Sequence, residues 1–324
     1  MGRTRSSVAF VLAFAFVHTL CFGAREVEAV LRFKKVHSWG DNARGENGRG
    51  TATGNGECDS GEIVEFGWDL EGTVKKIAAG LNHAVMITEE GAAYAWGANT
   101  CGQTGTGNFD ATMRPVRILT DVVVDDVAVG SQHTLALARD GRLFAFGCNG
   151  RGALGRNPSA LNVTATPVEV STPETFVSVA AAGAHSVGLT AGGAVYTWGA
   201  NHEGQLGLGG CVLPGGPGGD PCLNDVYSPT KVVSTDAGSV LPPIKLIAAG
   251  GGPVSTIGHA AKGGHTVAVT TTNVVYAWGD NFSGQLGVRQ VYYNASTSTT
   301  LNNTHMYTPN KVRGTFHREG KYLN

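Results

Sequence analysis

One stretch of sequence recurs four times in this chain with constant internal spacing, and this repetition restricts the fold more than any other feature. Each copy starts at a histidine, reaches an aromatic residue thirteen positions later and continues into a glycine-rich turn. Three glycines follow, the second and third lying five and eight positions after the first. The copies start at His83, His133, His185 and His265, and their aromatic residues are Trp96, Phe146, Trp198 and Trp278. A period of about fifty residues is typical of repeat architectures, in which every copy builds one structural unit.

A fifth, partial copy begins at Trp39, where Gly40, Gly45 and Gly48 keep the same register. Thirteen positions before Trp39 the chain has Glu26 instead of a histidine, so this unit lacks its first hairpin. No further hairpin of the same type follows the fourth copy. The sequence therefore predicts four full repeats with partial units at both ends.

Apolar residues alternate with other residues inside each copy, as they do in half-buried β-strands. In the first copy Val85 and Ile87 lie on one predicted strand and Trp96 lies on the next, with a turn at 89–91 between them. A further apolar strand precedes each hairpin, and a proline-led extended segment follows it. Four short strands make one small sheet, and such sheets packed face to face form a β-propeller. We therefore predict an all-β fold, a β-propeller repeat domain spanning 30–315.

The repeat resembles that of the regulator of chromosome condensation family, whose hallmark is AAG-x-x-H, a hairpin, and then WG-x-N-x-x-GQLG. Residues 77–83 read IAAGLNH and residues 198–207 read WGANHEGQLG. The resemblance implies blades of that family's type and a ring that usually has seven of them. With four full repeats, two interpretations stay open: a truncated gene product, or an incomplete or open ring.

The first residues do not follow the repeat and have the pattern of a secretory signal. Arg3 and Arg5 precede an apolar run at 8–22, and small residues come next. The run is shorter than the roughly twenty residues that cross a bilayer. We expect a signal peptide at 1–24, a C-terminal tail at 316–324, and a secreted or lumenal protein with no membrane association after cleavage.

The charge of the chain gives no basis for nucleic-acid binding. Its formal net charge is −1, and charged residues make up only 15% of the sequence. A domain that binds nucleic acid usually carries a basic patch that neutralises phosphates. We therefore expect another protein as the partner, and no nucleic acid.

Six cysteines are present, and Cys21 would leave with the signal peptide. Cys211 and Cys222 enclose a loop without a strand pattern, where a disulfide would close a flexible segment in an oxidising compartment. That pair is the disulfide candidate. The pairing of the three other cysteines stays open, and they are Cys58, Cys101 and Cys148.

Four Asn-x-Ser/Thr sequons are present, and three of them fall in predicted loops. Asn162, Asn294 and Asn302 are therefore glycosylation candidates. Asn281 also lies in a sequon, but it is the turn asparagine of its repeat. We expect its side chain to bind backbone amides and to stay unmodified.

The four repeat histidines suggest either metal or acid–base chemistry, or a structural role in every unit. We favour the structural role, a hydrogen bond to the backbone of the neighbouring blade, because the histidine recurs once in each repeat. The repeat aromatics are interpreted as blade-core residues in phase with the strands. The sequence contains no nucleophile motif, phosphate-binding glycine loop or metal-ligand spacing. We predict no catalytic residue, no metal and no cofactor.

The segments between the third glycine and the next proline vary in length, and all of them enter the repeat at the same place. They should therefore emerge on one face, where variable loops on a rigid scaffold usually carry binding specificity. The predicted function is a non-enzymatic protein–protein interaction module in the secretory pathway or extracellular space. The alternative is a guanine-nucleotide exchange factor or regulator for a small GTPase, as the family resemblance implies. Ligand-binding residues are not assigned.

Overall fold

A computed structural model describes residues 36–40, 42–52, 59–65, 72–209, 224–233, 235, 238–252, 264–288 and 305–312. These residues form strands, turns and loops, and none of the described segments is helical. The predicted signal peptide (1–24) and tail (316–324) lie outside the described residues.

Each full repeat forms one four-stranded antiparallel sheet, which confirms the predicted all-β fold. We call these sheets the first to fourth blades, and we call a two-stranded sheet before them the half blade. The half blade contains β1 (His37–Gly40) and β2 (Asp59–Glu65). The first blade contains β3 (Val74–Ala79), β4 (His83–Thr88), β5 (Ala93–Gly97) and β6 (Thr112–Ile118). The second contains β7 (Val124–Val129), β8 (His133–Ala138), β9 (Leu143–Cys148) and β10 (Val163–Glu169). The third contains β11 (Phe176–Ala182), β12 (His185–Thr190), β13 (Val195–Gly199) and β14 (Val226–Lys231). The fourth contains β15 (Ile244–Gly250), β16 (His265–Thr270), β17 (Val275–Asp280) and β18 (His305–Lys311).

The first strands of successive blades lie next to one another, so the blades are arranged about a common axis. Strand β7 packs beside β3 and β11, and β11 also packs beside β15. Polar side-chain contacts join strands β3, β7 and β11. Lys76 Nζ of β3 lies 2.6 Å from Asp126 Oδ1 of β7. The other carboxylate oxygen, Oδ2, accepts hydrogen bonds from Ser178 Oγ and the Val179 amide at 3.0 Å.

The apolar core lies between the blades and not inside any one of them. Phe146 of the second blade packs with Val85 and Ile87 of the first, and Trp198 of the third packs with Leu135 of the second. Trp278 of the fourth blade packs in the same way against residues of the third. Burying a large side chain in this way stabilises a fold by roughly 2–3 kcal/mol. A blade therefore gains most of its stability from its neighbours, as expected for a repeat protein.

The glycine-rich turn after each aromatic residue is fixed by its asparagine. In every copy the asparagine Oδ1 accepts a hydrogen bond, 2.9–3.2 Å long, from the backbone amide five residues later. The five pairs are Asn42–Asn47, Asn99–Thr104, Asn149–Leu154, Asn201–Leu206 and Asn281–Leu286. The partial copy therefore forms the same turn as the full copies. The Asn281 side chain is buried and binds backbone, as its position in the repeat predicts.

The sheets do not close into a ring within the described residues. The half blade and the fourth blade are separate sheets with no strand pairing between them. Trp39 of the half blade is 57% exposed, whereas the aromatic residues at the same place in the four full blades are buried. The arrangement is an open arc, one of the two interpretations of the repeat count.

The two ends of each blade carry different connections between its strands. In an antiparallel blade, the turn between strands one and two and the loop between strands three and four emerge at the same end. We call this end the loop face, and its described third-to-fourth-strand loops are 98–111, 149–162, 200–209 and 281–288. The opposite end carries short hairpin turns, and we call it the hairpin face. The described parts of these third-to-fourth-strand segments share the loop face, as the repeat register predicts.

Gly97 ends β5 at a place where an added Cβ has no room. Its φ is +103°, and a Cβ would lie 2.5 Å from the Asn82 carbonyl oxygen and 2.8 Å from His83 Cα. Gly40 has a similar φ of +106°, but a Cβ there would meet nothing within 4 Å.

We expect Gly40→Ala to lower the free energy of unfolding by about 1–2 kcal/mol through backbone strain alone. Gly97→Ala should cost about 2 kcal/mol more, because backbone must also move. Urea unfolding of both variants measures the difference, and equal losses would contradict this account of the turn.

Candidate functional site

The repeat histidines lie at the blade interfaces and bond the next blade through its side chains. His83, His133 and His185 each begin the second strand of a blade and are fully buried. Their Nε2 atoms lie 3.0–3.2 Å from a hydroxyl oxygen of the following blade. The pairs are His83–Thr134, His133–Ser186 and His185–Thr266. The neighbouring blade is the predicted partner, but the predicted backbone group is replaced by a side-chain hydroxyl.

The same hydroxyls also fix which ring nitrogen carries the proton. Thr134 Oγ1 donates to the Gln103 carbonyl at 2.8 Å, which returns the contact to the first blade. Ser186 donates to Ala153 O and Thr266 to Gln205 O in the same way. A hydroxyl has one proton to give, so it must accept from the histidine. His83 and His133 are therefore neutral Nε2–H tautomers that donate to the next blade, and the His185–Thr266 contact repeats the same pairing.

Burial keeps these rings uncharged. It lowers the pKa of His83 and His185 to about 3, with nearby histidines adding to the shift at His185. The pKa of His133 also falls to about 3, mainly through burial and secondarily through the charge that His83 would carry. These rings serve the interface. Within the described ranges, no cluster of three or more His, Cys, Asp or Glu side chains has the geometry to bind a metal ion.

Two of the tryptophans also donate a hydrogen bond across a blade interface. Trp96 Nε1 donates to the Glu46 carbonyl of the half blade at 2.8 Å. Trp198 Nε1 donates to the Ala153 carbonyl at 2.9 Å, the same oxygen that accepts from Ser186. The repeat aromatics are therefore core residues, as predicted, and two of them also donate across the interface.

The hydroxyl partner was missed in the sequence analysis, although the sequence carries a signal for it. The residue directly after the repeat histidine is Thr134, Ser186 or Thr266 wherever a full blade precedes it. In the first blade this residue is Ala84, and the unit before that blade has no repeat histidine. A hydroxyl is thus present only where a histidine of the previous repeat needs an acceptor.

Because the repeat residues serve the interfaces, the candidate functional surface is the loop face. Phe109 is 51% exposed in the loop 98–111, and Phe282 is 65% exposed in the loop 281–288. Both loops are held at their base by the turn asparagines described above. The loop face therefore presents exposed aromatic side chains from fixed positions.

The other predicted site residues have different outcomes. Asn162 lies exposed at the end of the loop 149–162. Its backbone carbonyl accepts a hydrogen bond from the backbone amide of Asn149 at 2.7 Å. Cys101 and Cys148, whose pairing the sequence left open, are bonded to each other. Several candidates lie outside the described residues, namely Cys58, Cys211, Cys222, Asn294 and Asn302. In the part of the chain that is described, no helix has the length and apolar character to cross a membrane.

Comparison with known proteins assigns the family. The family model described as the RCC1-like domain matches residues 3–320. This chain belongs to the RCC1-like domain family. The match extends over all four blades of this RCC1-like domain and confirms the resemblance carried by the repeat.

Several curated proteins are similar to this RCC1-like chain. The human probable E3 ubiquitin-protein ligase HERC6 is 32% identical over 271 residues, which are 82% of this chain and 23% of that protein. The human X-linked retinitis pigmentosa GTPase regulator is 34% identical over 78% of this chain and 22% of its own length. The ultraviolet-B receptor UVR8 of Arabidopsis thaliana is 28% identical over 80% of this chain and 52% of its length. The chain thus spans about half or less of these relatives.

Solved structures support the fold. Human WBSCR16 superposes with a TM-score of 0.67 at 23% identity, covering 86% of this chain and 62% of that one. Yeast RCC1 (Prp20), bound to Kap60, gives a TM-score of 0.63 at 21% identity, covering 87% and 57%. At this level of identity, the likeness shows a shared RCC1-type propeller architecture.

Replacing Thr134 by valine tests the interface hydrogen bonds. The valine keeps the shape of the side chain but leaves His83 Nε2–H and the Gln103 carbonyl without their partner. We expect a loss of about 2–4 kcal/mol in the free energy of unfolding, because buried polar groups without partners are costly. Thr134→Ser is the matched control, since Ser186 fills the same place in the next blade, and it should cost about 1 kcal/mol or less. Urea unfolding measures the free energy of both variants. Similar losses would show that the hydroxyl group does not stabilise the blade interface.

The buried histidines should make the fold sensitive to acid. Their folded pKa of about 3 lies below the ordinary value of 6.5, so only the unfolded chain takes up protons between these pH values. Their stabilising effect is complete above pH 6.5 and is lost as the pH falls towards 3. His133→Gln keeps an amide donor for Ser186 but cannot titrate.

Comparing the pH dependence of unfolding in the wild-type chain and in His133→Gln shows the effect of protonating one histidine. We expect the free energy of unfolding to fall less steeply with acid in the variant, by about 1.4 kcal/mol per pH unit between pH 6 and 4. Urea unfolding at half-unit pH steps measures both slopes. Parallel curves would contradict the assignment of a depressed pKa to His133.

Proposed function

We propose that this RCC1-like domain is a non-enzymatic protein-binding module that contacts another protein through its loop face. The observation that carries the proposal is the pair of exposed aromatic side chains on loops with fixed bases. Phe109 and Phe282 come from the first and fourth blades, so a partner that touches both would extend across the arc.

Physical chemistry favours such side chains as contact residues. A phenylalanine offers a large apolar area with few rotatable bonds, so little conformational entropy is lost when it is buried. The loops that carry them are held by turn asparagines, whose side-chain oxygens accept from backbone amides: Asn99 Oδ1 from Thr104 N–H, and Asn281 Oδ1 from Leu286 N–H. A surface that is already ordered before binding loses less free energy on association.

The histidines support a role without catalysis. His83, His133 and His185 are buried, neutral and hydrogen-bonded at blade interfaces. A general acid or base has to reach a substrate and exchange a proton near the working pH. These three rings meet neither condition, so they are assigned to the fold and not to a reaction.

We place the domain in the secretory pathway or the extracellular space. The proposal rests on the signal-like residues 1–24 and on the exposed sequon at Asn162. A fluorescent fusion to residues 1–30 should enter the endoplasmic reticulum, and deletion of 8–22 should leave the protein in the cytosol. Removal of N-glycans should reduce the mass of the wild-type chain more than that of Asn162→Gln. Cytosolic or nuclear location of the full chain would overturn this part of the proposal.

Substitutions on the two faces test the binding surface. The partner is first identified by cross-linking from a photoreactive residue at position 109, then purified and titrated calorimetrically against the full chain. We expect Phe109→Asp to weaken binding by about thirty-fold, because loss of a central aromatic contact costs on the order of 2 kcal/mol.

The hairpin face provides the matched control. Val240 is 82% exposed and precedes β15, away from the loop face. Val240→Asp introduces the same charge and should change the affinity less than twofold. Equal binding by Phe109→Asp and the wild-type chain, or an equal loss in Val240→Asp, would contradict a binding site on the loop face.

A second candidate is regulation of a small GTPase. It is favoured by the similarity to a human protein named as a GTPase regulator and to yeast Prp20p, whose solved structure is described with binding to Gsp1p. The test adds the purified full chain to small GTPases loaded with a fluorescent guanine nucleotide. A tenfold or greater acceleration of nucleotide release would favour this candidate. Binding of a partner without faster release would favour the interaction module.

A further inference from the structure

Two cysteines from neighbouring blades meet on the loop face. Cys101 lies in the loop that follows β5 of the first blade, and Cys148 is the last residue of β9 in the second blade. Their Cα atoms are 5.0 Å apart, within the roughly 4.4–6.8 Å that a disulfide spans. The two positions are 47 residues apart in sequence, so the bond connects one repeat to the next.

The backbone holds both positions in place without the bond. The Cys101 amide donates to Gln103 Oε1 at 2.9 Å, and the Cys148 amide donates to the Gln132 carbonyl at 2.8 Å. The Gly107 amide of the first-blade loop also donates to the Ala165 carbonyl of β10 at 2.9 Å. The two thiols are therefore placed for bonding by contacts that the fold already makes.

The other repeats show that the fold does not require cysteine at either position. In repeat register, the place of Cys101 is taken by Arg44, Arg151, Glu203 and Ser283. The place of Cys148 is taken by Asp41, Ala98, Ala200 and Asp280. Cysteine occurs at both matching places of only one interface among the four that the repeat register defines. Two thiols at facing positions of a single interface indicate a local bond and not a general packing need.

Both thiols are within reach of a redox partner, because Cys101 and Cys148 are only half-buried. The loop that contains Cys101 also carries the exposed Phe109. A bond there fixes the turn at the start of the loop 98–111 to the second blade, in addition to the asparagine contact within that turn. Reduction would leave the loop with its hydrogen bonds and the packing of Gly102 and Gly105 against the second blade.

We propose that Cys101 and Cys148 form a redox-sensitive cross-link that fastens the first-blade loop to the second blade. The bond forms by thiol–disulfide exchange with a dithiol oxidoreductase in its disulfide form. One cysteine thiolate attacks that disulfide and gives a mixed disulfide, and the second thiolate then displaces the oxidoreductase. The cysteine pair loses two protons and two electrons, and the oxidoreductase leaves as a dithiol. The cross-link does not depend on the identity of any binding partner.

The bond is tested directly on the full wild-type chain, purified without reductant. Free thiols are blocked with N-ethylmaleimide before digestion with trypsin. The expected product is a disulfide that joins the peptides 77–117 and 143–151 and disappears after reduction. Recovery of both peptides with blocked, unlinked cysteines would overturn the proposal.

A double variant tests what the bond does to the fold. Cys101→Ser with Cys148→Ala uses residues that the repeat already accepts at these places, Ser283, Ala98 and Ala200. We expect the melting temperature of the wild-type chain to fall by about 5 °C on reduction, because the bond restricts the unfolded state. The melting temperature of the double variant should not change on reduction. An equal fall in both proteins would show that the bond does not stabilise this interface.

Hydrogen exchange locates the effect and separates it from partner binding. Amides of the loop 98–111 should exchange about threefold faster or more in the reduced chain and in the double variant. The loop 200–209 occupies the same place in the third blade and is adjacent to neither cysteine, so it is the internal control. Unchanged exchange in 98–111, or equal changes in both loops, would show that the bond does not fasten this loop.

Discussion

A hydrogen-bonded relay between blades is the contact on which the rest of this structure depends. The histidine Nε2–H of one blade donates to a hydroxyl of the next, and that hydroxyl donates back to a carbonyl of the first. One buried hydroxyl oxygen therefore joins a strand and a loop of one blade to the neighbouring blade. The relay satisfies three polar groups in the same place where the aromatic residues bury their apolar area. Partners for all three are required, because an unmatched polar group in such a dry interface would cancel much of the gain from packing.

This arrangement separates the part of each repeat that builds the fold from the part that is free to vary. The histidine, the hydroxyl residue, the aromatic residue and the turn asparagine all lie in strands or at the base of a turn. In each loop of the loop face, the turn asparagine makes its contact at the start, and the more variable part of the loop follows it. Their composition can therefore change without loss of the blade, as the segments 98–111 and 149–162 show, which are equally long but differ in sequence. A scaffold of this type is suited to presenting different contact residues from a constant framework.

The repeat predicted the blades because strand periodicity and fixed glycine spacing are local properties. The histidine at the start of β4 and the tryptophan at the end of β5 are thirteen residues apart because one hairpin separates them. The hydroxyl partner was readable in principle, since Thr134 and Ser186 follow their histidines and Ala84 stands where no histidine precedes. It was missed because two repeats have to be compared at once to see it.

Other features could not be predicted because they depend on how sheets pack. The meeting of Cys101 and Cys148 is set by the rotation between two blades, which no single repeat encodes. The exposure of Phe109 and Phe282 likewise depends on the path of loops that have no repeat pattern. Periodicity thus predicts the units, whereas distances between units require the assembled structure.

Ala84 gives the arc an uneven strength along its length. At the junction between the half blade and the first blade, the alanine offers no hydroxyl, so the relay is absent there. Bonds of other kinds connect the two, such as Trp96 Nε1 to Glu46 O and Asn82 Nδ2 to Glu46 Oε1. The following three junctions each contain the full relay. In a linear array, partial unfolding begins at the weakest junction and spreads from it. The half blade is therefore expected to fray first, as a separate cooperative unit, while the other blades remain folded together.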